Sequence, residues 1–175
     1  MPRGALFTTP NLLSFSRLGL AAAFPFVDGR YARVAVILVA SLTDFLDGFL
    51  ARRSQTTSKW GALLDPVADR MFVFVAVCTY LLRGELLVWQ YFAFIARDLM
   101  TAVGFLVARA MPSLRGITFR ARWSGKVVTA LQLLLLVVVP LFAAAVAPLA
   151  VVIALASLWA IVDYTLMLHR ERARA

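Results

Sequence analysis

Four aspartates fall into two close pairs: Asp44 and Asp47, three residues apart, and Asp65 and Asp69, four apart. Residues at those spacings share one face of a helix. Placed at adjoining ends of two consecutive antiparallel helices, the pairs would bring four carboxylates to one point. A donor set made only of oxygen suits hard ions such as Mg²⁺ or Mn²⁺, whereas zinc prefers histidine and cysteine. The one histidine, His169, stands at the far C-terminal end. Asp44, Asp47, Asp65 and Asp69 are therefore the predicted metal ligands. Two ions about 3.5–4 Å apart, bridged by shared carboxylates, would clamp a diphosphate and favour in-line displacement at phosphorus.

The bland alternative is that an aspartate in an apolar helix packs against a neighbour or relays a proton. A single one would more often do that. Four at helical spacing, with Gly48 and Gly61 between them and only Arg52 and Arg70 nearby to answer their charge, favour a cation site. Gly48 removes a side chain where a bulky ligand would approach the backbone, although Gly48 or Ala51 alone is equally explained by close helix packing. Arg52, one turn past Asp47 and Gly48, is either a phosphate contact or an anchor at the membrane face.

The elements that must position these residues follow from composition. Of 175 residues, 62% are hydrophobic and 15% charged, mean hydropathy is +0.86, and the net charge is +9. Soluble domains carry roughly 45–50% apolar residues. The basic residues sit in gaps between apolar runs, which fits loops facing anionic headgroups. A nucleic-acid binder would spread them over a polar surface, so no nucleic-acid partner is expected. Six runs approach the roughly 20 residues a spanning helix needs: 12–27, 34–50, 63–82, 86–110, 127–145 and 147–168. Arg17 interrupts the first, Arg97 and Asp98 the fourth, and Pro140 and Pro148 bracket the turn between the last two.

The expected fold is thus an all-α integral membrane bundle of six transmembrane helices, a single domain over residues 1–175. Both termini are expected in the cytoplasm. That orientation places Arg3, Arg52, Arg53, Lys59, Arg109, Arg115, Arg120, Arg122, Lys126, Arg170, Arg172 and Arg174 inside, against Arg30, Arg33 and Arg83 outside. No small-residue cleavage site precedes Asp28, so no cleaved signal peptide is expected. Cys78, in an apolar stretch, is expected to be a packed thiol.

The full pattern D-x2-D-G-x2-A-R-x8-G-x3-D-x3-D, carried by Asp44, Asp47, Gly48, Ala51, Arg52, Gly61, Asp65 and Asp69, resembles the signature of the CDP-alcohol phosphotransferases at every fixed position. The likeness runs from about residue 10 to residue 132. Pro10, Asn11 and Arg17 at the entry to the first helix, and Gly125-Lys126-Val127-Val128-Thr129 with Gln132, are similar to the bacterial phosphatidylglycerophosphate synthases. The resemblance implies a six-helix enzyme, commonly a homodimer, in the bacterial inner membrane, with its site open to the cytoplasm and inner leaflet. It would transfer a phosphatidyl group from CDP-diacylglycerol to a small alcohol and release CMP. By the same resemblance Asp44, Asp47 and Asp65 bind metal, Asp69 completes the site and acts as general base, and Gly48, Ala51, Arg52 and Gly61 contact the CDP moiety.

The acceptor is read from the basic stretch before the fifth helix. Arg115, Arg120, Arg122 and Lys126 are either inside-facing charge or a pocket for a phosphorylated acceptor, with Arg115, Arg122 and Lys126 as its contacts. Glycerol 3-phosphate suits such a pocket. Relatives that use it often carry Arg-Glu in the fourth helix and a further arginine two turns later. Here Arg97-Asp98 with Gly104 is more like the eukaryotic-type cardiolipin synthases, whose acceptor is phosphatidylglycerol. Glycerol 3-phosphate is placed first and phosphatidylglycerol second. Arg97 and Asp98 equally suit a buried ion pair fixing the fourth helix.

Two other classes compete. Membrane prenyltransferases hold magnesium with two separated Asp-rich motifs, whereas this chain has one compact cluster. An ion-coupled transporter would spread its ionisable groups through the membrane depth, and here only Asp163 stands apart. Its role is left open between capping, pairing and support of the site.

Overall fold

The computed structural model describes residues 9–54, 61–110 and 123–172, with side chains described over 16–46, 70–104 and 123–167. Among these residues every regular element is a helix: α1 (Thr9–Ala23), a 3₁₀ turn (Phe24–Phe26), α2 (Arg30–Ser54), α3 (Gly61–Leu82), α4 (Val88–Ala110), α5 (Trp123–Leu141) and α6 (Ala143–Arg172). Contacts divide the chain into two compact units, Met1–Glu85 and Leu86–Ala175.

In the first unit α1 packs against both α2 and α3. Its α-helical ladder ends at Ala23 because Pro25 has no N–H to donate to Ala21 O, and Phe24-Pro25-Phe26 tighten into the 3₁₀ turn. Phe24, fully buried, meets Phe72 and Tyr80 edge to face with ring centroids 5.8 and 5.7 Å apart. The buried residues follow helical stripes: Arg17 and Ala21 on α1, continued by Phe24 of the 3₁₀ turn, Arg33, Ile37 and Ala40 on α2, and Phe72, Ala76 and Tyr80 on α3. A Schellman motif closes α3. Glu85 N–H donates to Tyr80 O at 2.9 Å and Gly84 N–H to Leu81 O at 3.1 Å, and Gly84 takes the required left-handed φ of 72°. At this end Arg83 also donates to Pro25 O at 2.6 Å and pairs with Asp28 at 3.2 Å, tying the α1–α2 turn to the end of α3.

In the second unit α6 packs against α4 and α5. The inward stripe of α6 is Val146, Ala150, Ile153, Ser157 and Ala160, while Leu155, Leu158, Trp159, Val162 and Leu166 face outward and are exposed. Apolar exposure on that scale marks a surface that water does not cover, and small residues at helix contacts are the packing pattern of membrane bundles. By length and composition the stretches Trp123–Leu141 and Ala143–Met167 suffice to cross a bilayer.

Helix boundaries differ from the apolar runs in physically readable ways. α2 continues beyond residue 50 through Ala51, Arg52 and Arg53 to Ser54, since these are good helix formers with no breaker among them. Pro140 and Pro148 lie inside α5 and α6 rather than between them. The turn itself is Phe142, whose N–H donates to Val138 O at 2.8 Å and whose carbonyl accepts from Ala145 N–H at 2.9 Å.

Candidate active site

Asp44 continues the buried stripe of α2 one turn beyond Ala40, where the stripe leaves the core. Its side chain is 51% exposed. Arg17 belongs to the α1 stripe, one turn before Ala21, and is 1% exposed. The two helices meet there through Arg17 Nη1, which donates to Asp44 Oδ1 at 2.9 Å. Asp44 is thus held on one side by a buried guanidinium and open on the other.

The rest of the signature follows on the same two helices. Asp47, Gly48, Ala51 and Arg52 lie farther along α2, and Gly61, Asp65 and Asp69 occupy the first turns of α3. Because α2 extends to Ser54, Asp44 and Asp47 stand in the body of the helix, not in its last turn. α2 and α3 share α1 as a common neighbour. The side chains of Asp47, Arg52, Asp65 and Asp69, and hence the meeting of four carboxylates, lie outside the described residues. The one described member fits a hard divalent cation: Asp44 offers oxygen only, half exposed, with a firmly held partner behind it.

The acceptor region divides in the same way. Arg115, Arg120 and Arg122 lie outside the described residues, whereas Lys126 is exposed on the first turn of α5, its Nζ 4.9 Å from the centre of the Trp123 ring. Lys126 lines a groove of about 410 Å³ together with Arg97, Gly125, Thr129, Leu133 and Tyr164. A methyl group on Gly125 would press into Arg97 Nη2 and come within 3.2 Å of the Tyr164 hydroxyl. The missing side chain is what allows the Arg97 guanidinium to lie against α5.

Arg97 and Asp98 form the ion pair that the sequence allowed, Nη1 to Oδ1 at 2.9 Å. Sequence reasoning missed their third partner. Gln132 Nε2 donates to Asp98 Oδ2 at 2.9 Å and to Phe94 O at 2.7 Å. Asp163 accepts from Ser124 Oγ at 2.8 Å, which ties α6 to the start of α5. Arg17 was also missed as the partner of Asp44. The available signal was its charge inside an apolar run, since such an arginine requires an acceptor on another helix.

Comparison with known proteins adds an independent line. The sequence profile described as CDP-alcohol phosphatidyltransferase matches residues 7–162. A CDP-diacylglycerol–glycerol-3-phosphate 3-phosphatidyltransferase of Aquifex aeolicus is 34% identical over 117 residues, covering 61% of this chain and 66% of that protein. A cardiolipin synthase (CMP-forming) of Rattus norvegicus is 31% identical over 146 residues, covering 74% of this chain and 48% of that protein. A putative cardiolipin synthase of Mycobacterium tuberculosis is 32% identical over 106 residues, covering 58% and 51%. The chain spans between about half and two thirds of the length of these relatives.

Proposed function

Since the chain belongs to the CDP-alcohol phosphatidyltransferase family, we propose that it transfers a phosphatidyl group from CDP-diacylglycerol to a small alcohol and releases CMP. The observation that carries this is the delivery of the complete signature by α2 and α3, two consecutive helices packed on the same neighbour, with Asp44 presented to the open side. Asp44, Asp47, Asp65 and Asp69 would hold Mg²⁺ or Mn²⁺, two ions in all. When bound, these supply charge neutralisation to the diphosphate. Gly48, Ala51, Arg52 and Gly61 hold the CDP moiety. Asp69 takes the proton of the acceptor hydroxyl as its oxygen bonds to the phosphatidyl phosphorus, and the bond from that phosphorus to CMP breaks.

Glycerol 3-phosphate is the first choice of acceptor, with Arg115, Arg122 and Lys126 as its contacts. The groove beside Lys126, lined also by Arg97, offers the cationic surface a phosphomonoester needs. The Aquifex relative is named for that acceptor. Phosphatidylglycerol is the second, favoured by the Arg97-Asp98 pair and by the relatives named cardiolipin synthase. The enzyme is read as a six-span homodimer of the bacterial inner membrane, with both termini and the site on the cytoplasmic side.

The test is direct. Purified protein with CDP-diacylglycerol and Mg²⁺ or Mn²⁺ is given glycerol 3-phosphate, phosphatidylglycerol, inositol phosphate or serine separately, and CMP is measured. Release with one acceptor supports the assignment and names the substrate. A transporter would release none with any.

A further inference from the structure

The chemistry above uses Asp44 only as an oxygen donor and gives Arg17 no part. Yet a guanidinium that is 1% exposed is expensive to bury and persists where its charge is answered. The other buried residues of its stripe, Ala21 and Phe24, are apolar. One of its partners is Asp44 Oδ1 on a different helix, 2.9 Å away. The pair is lopsided: the arginine side chain is 2% exposed and the carboxylate 51%. A clamp between two helices has no need of so open a carboxylate. Gripped from the protein side by one oxygen, it meets no second donor at Oδ2 among the described residues.

We propose that Arg17 is a positioning residue for Asp44, fixing the carboxylate by Oδ1 so that Oδ2 can ligate a divalent cation; this rests on Asp44 being a metal ligand. Two physical effects of Arg17 oppose each other. Holding the carboxylate in place favours ion binding, and partners of this kind typically add about 10–100-fold to metal affinity. The nearby positive charge repels an incoming cation. The proposal commits to orientation outweighing repulsion, so removal of Arg17 weakens ion binding.

The test uses the full chain in detergent without substrate. Free Mn²⁺ is titrated by electron paramagnetic resonance, and the thermal midpoint is recorded on the same samples. Arg17→Gln is expected to raise the Mn²⁺ Kd about tenfold or more in folded protein, with Arg17→Lys intermediate. In an Asp44→Asn background, Arg17→Gln should change Kd little further, because the two residues act as one unit. An unchanged or tighter Kd in folded Arg17→Gln overturns the proposal, as does full additivity with Asp44→Asn. Should Arg17→Gln not fold, Arg17→Lys decides on the same criterion of weakened against unchanged binding. Wild-type protein that binds Mn²⁺ but releases no CMP would sink phosphatidyl transfer while leaving the role of Arg17 intact. Wild-type protein that binds no Mn²⁺ overturns both.

Discussion

Among the described residues, two buried arginines face aspartates, and they are arranged in opposite ways. In the first unit Arg17 reaches from α1 to Asp44 on α2, twenty-seven positions along the sequence, and grips one oxygen of a half-exposed carboxylate. In the second unit Arg97 turns to its own neighbour Asp98, whose side chain is 26% exposed. Gln132 then takes the second oxygen of Asp98. The first arrangement presents a carboxylate outward, and the second draws one into an internal network. The same two residue types therefore leave an open carboxylate in one place and build a structural brace in the other. What differs is the number of donors each aspartate is given among the described residues.

That contrast can be sharpened or broken by experiment. Asp69→Asn sets the scale of a complete loss: CMP release is expected to fall about 10²–10⁴-fold, as for removal of a general base, with CDP-lipid binding retained. Full activity in that variant would remove Asp69 from the role. Asp44→Asn and Asp98→Asn form the central comparison. Each leaves a buried guanidinium facing a neutral amide, so both should lower the thermal midpoint. Only Asp44→Asn should weaken Mn²⁺ binding, by at least the roughly 10–100-fold seen for outer partners. Equal losses of Mn²⁺ affinity in the two variants would erase the distinction.

Two smaller effects probe the second unit. Gln132→Leu takes a donor from both Asp98 and the Phe94 carbonyl, and should cost about 1.5–3 kcal/mol in unfolding without altering the Mn²⁺ titration. A changed titration would make Asp98 part of the ion site. Gly125→Ala crowds Arg97 and Tyr164 and is expected to raise KM for a phosphorylated acceptor roughly tenfold, the weight of one charge-assisted hydrogen bond, with kcat little changed. An unaltered KM would separate Arg97 from acceptor recognition.

The sequence makes the helices legible because apolar runs broken by charge have few other solutions. Six runs were expected and six helices stand among the described residues, but their ends were less readable. α5 begins at Trp123 rather than 127, and its first turn carries Ser124, which donates to Asp163, and Gly125, which makes room for Arg97. Those are tertiary contacts, and hydropathy carries no sign of them. Asp44 was legible from spacing, and its partner was not. Helical periodicity says which residues share a face of one helix, but it is silent on which face of another helix arrives opposite. For the same reason Gln132 was noted only as part of a motif, although it satisfies Asp98 and the Phe94 carbonyl together.

The arrangement of α6, with Ala150, Ser157 and Ala160 among the residues turned in and large ones turned out, also predicts how the chain tolerates change. In a water-soluble helix the outward positions accept polar exchange and the inward ones accept only matched volume. Here Leu155, Leu158 and Trp159 should exchange freely among oily residues yet reject charge, whereas Ala150 and Ala160 should reject growth of any kind. Sequence drift in this helix would therefore leave hydropathy level and show itself as a constancy of size along one edge.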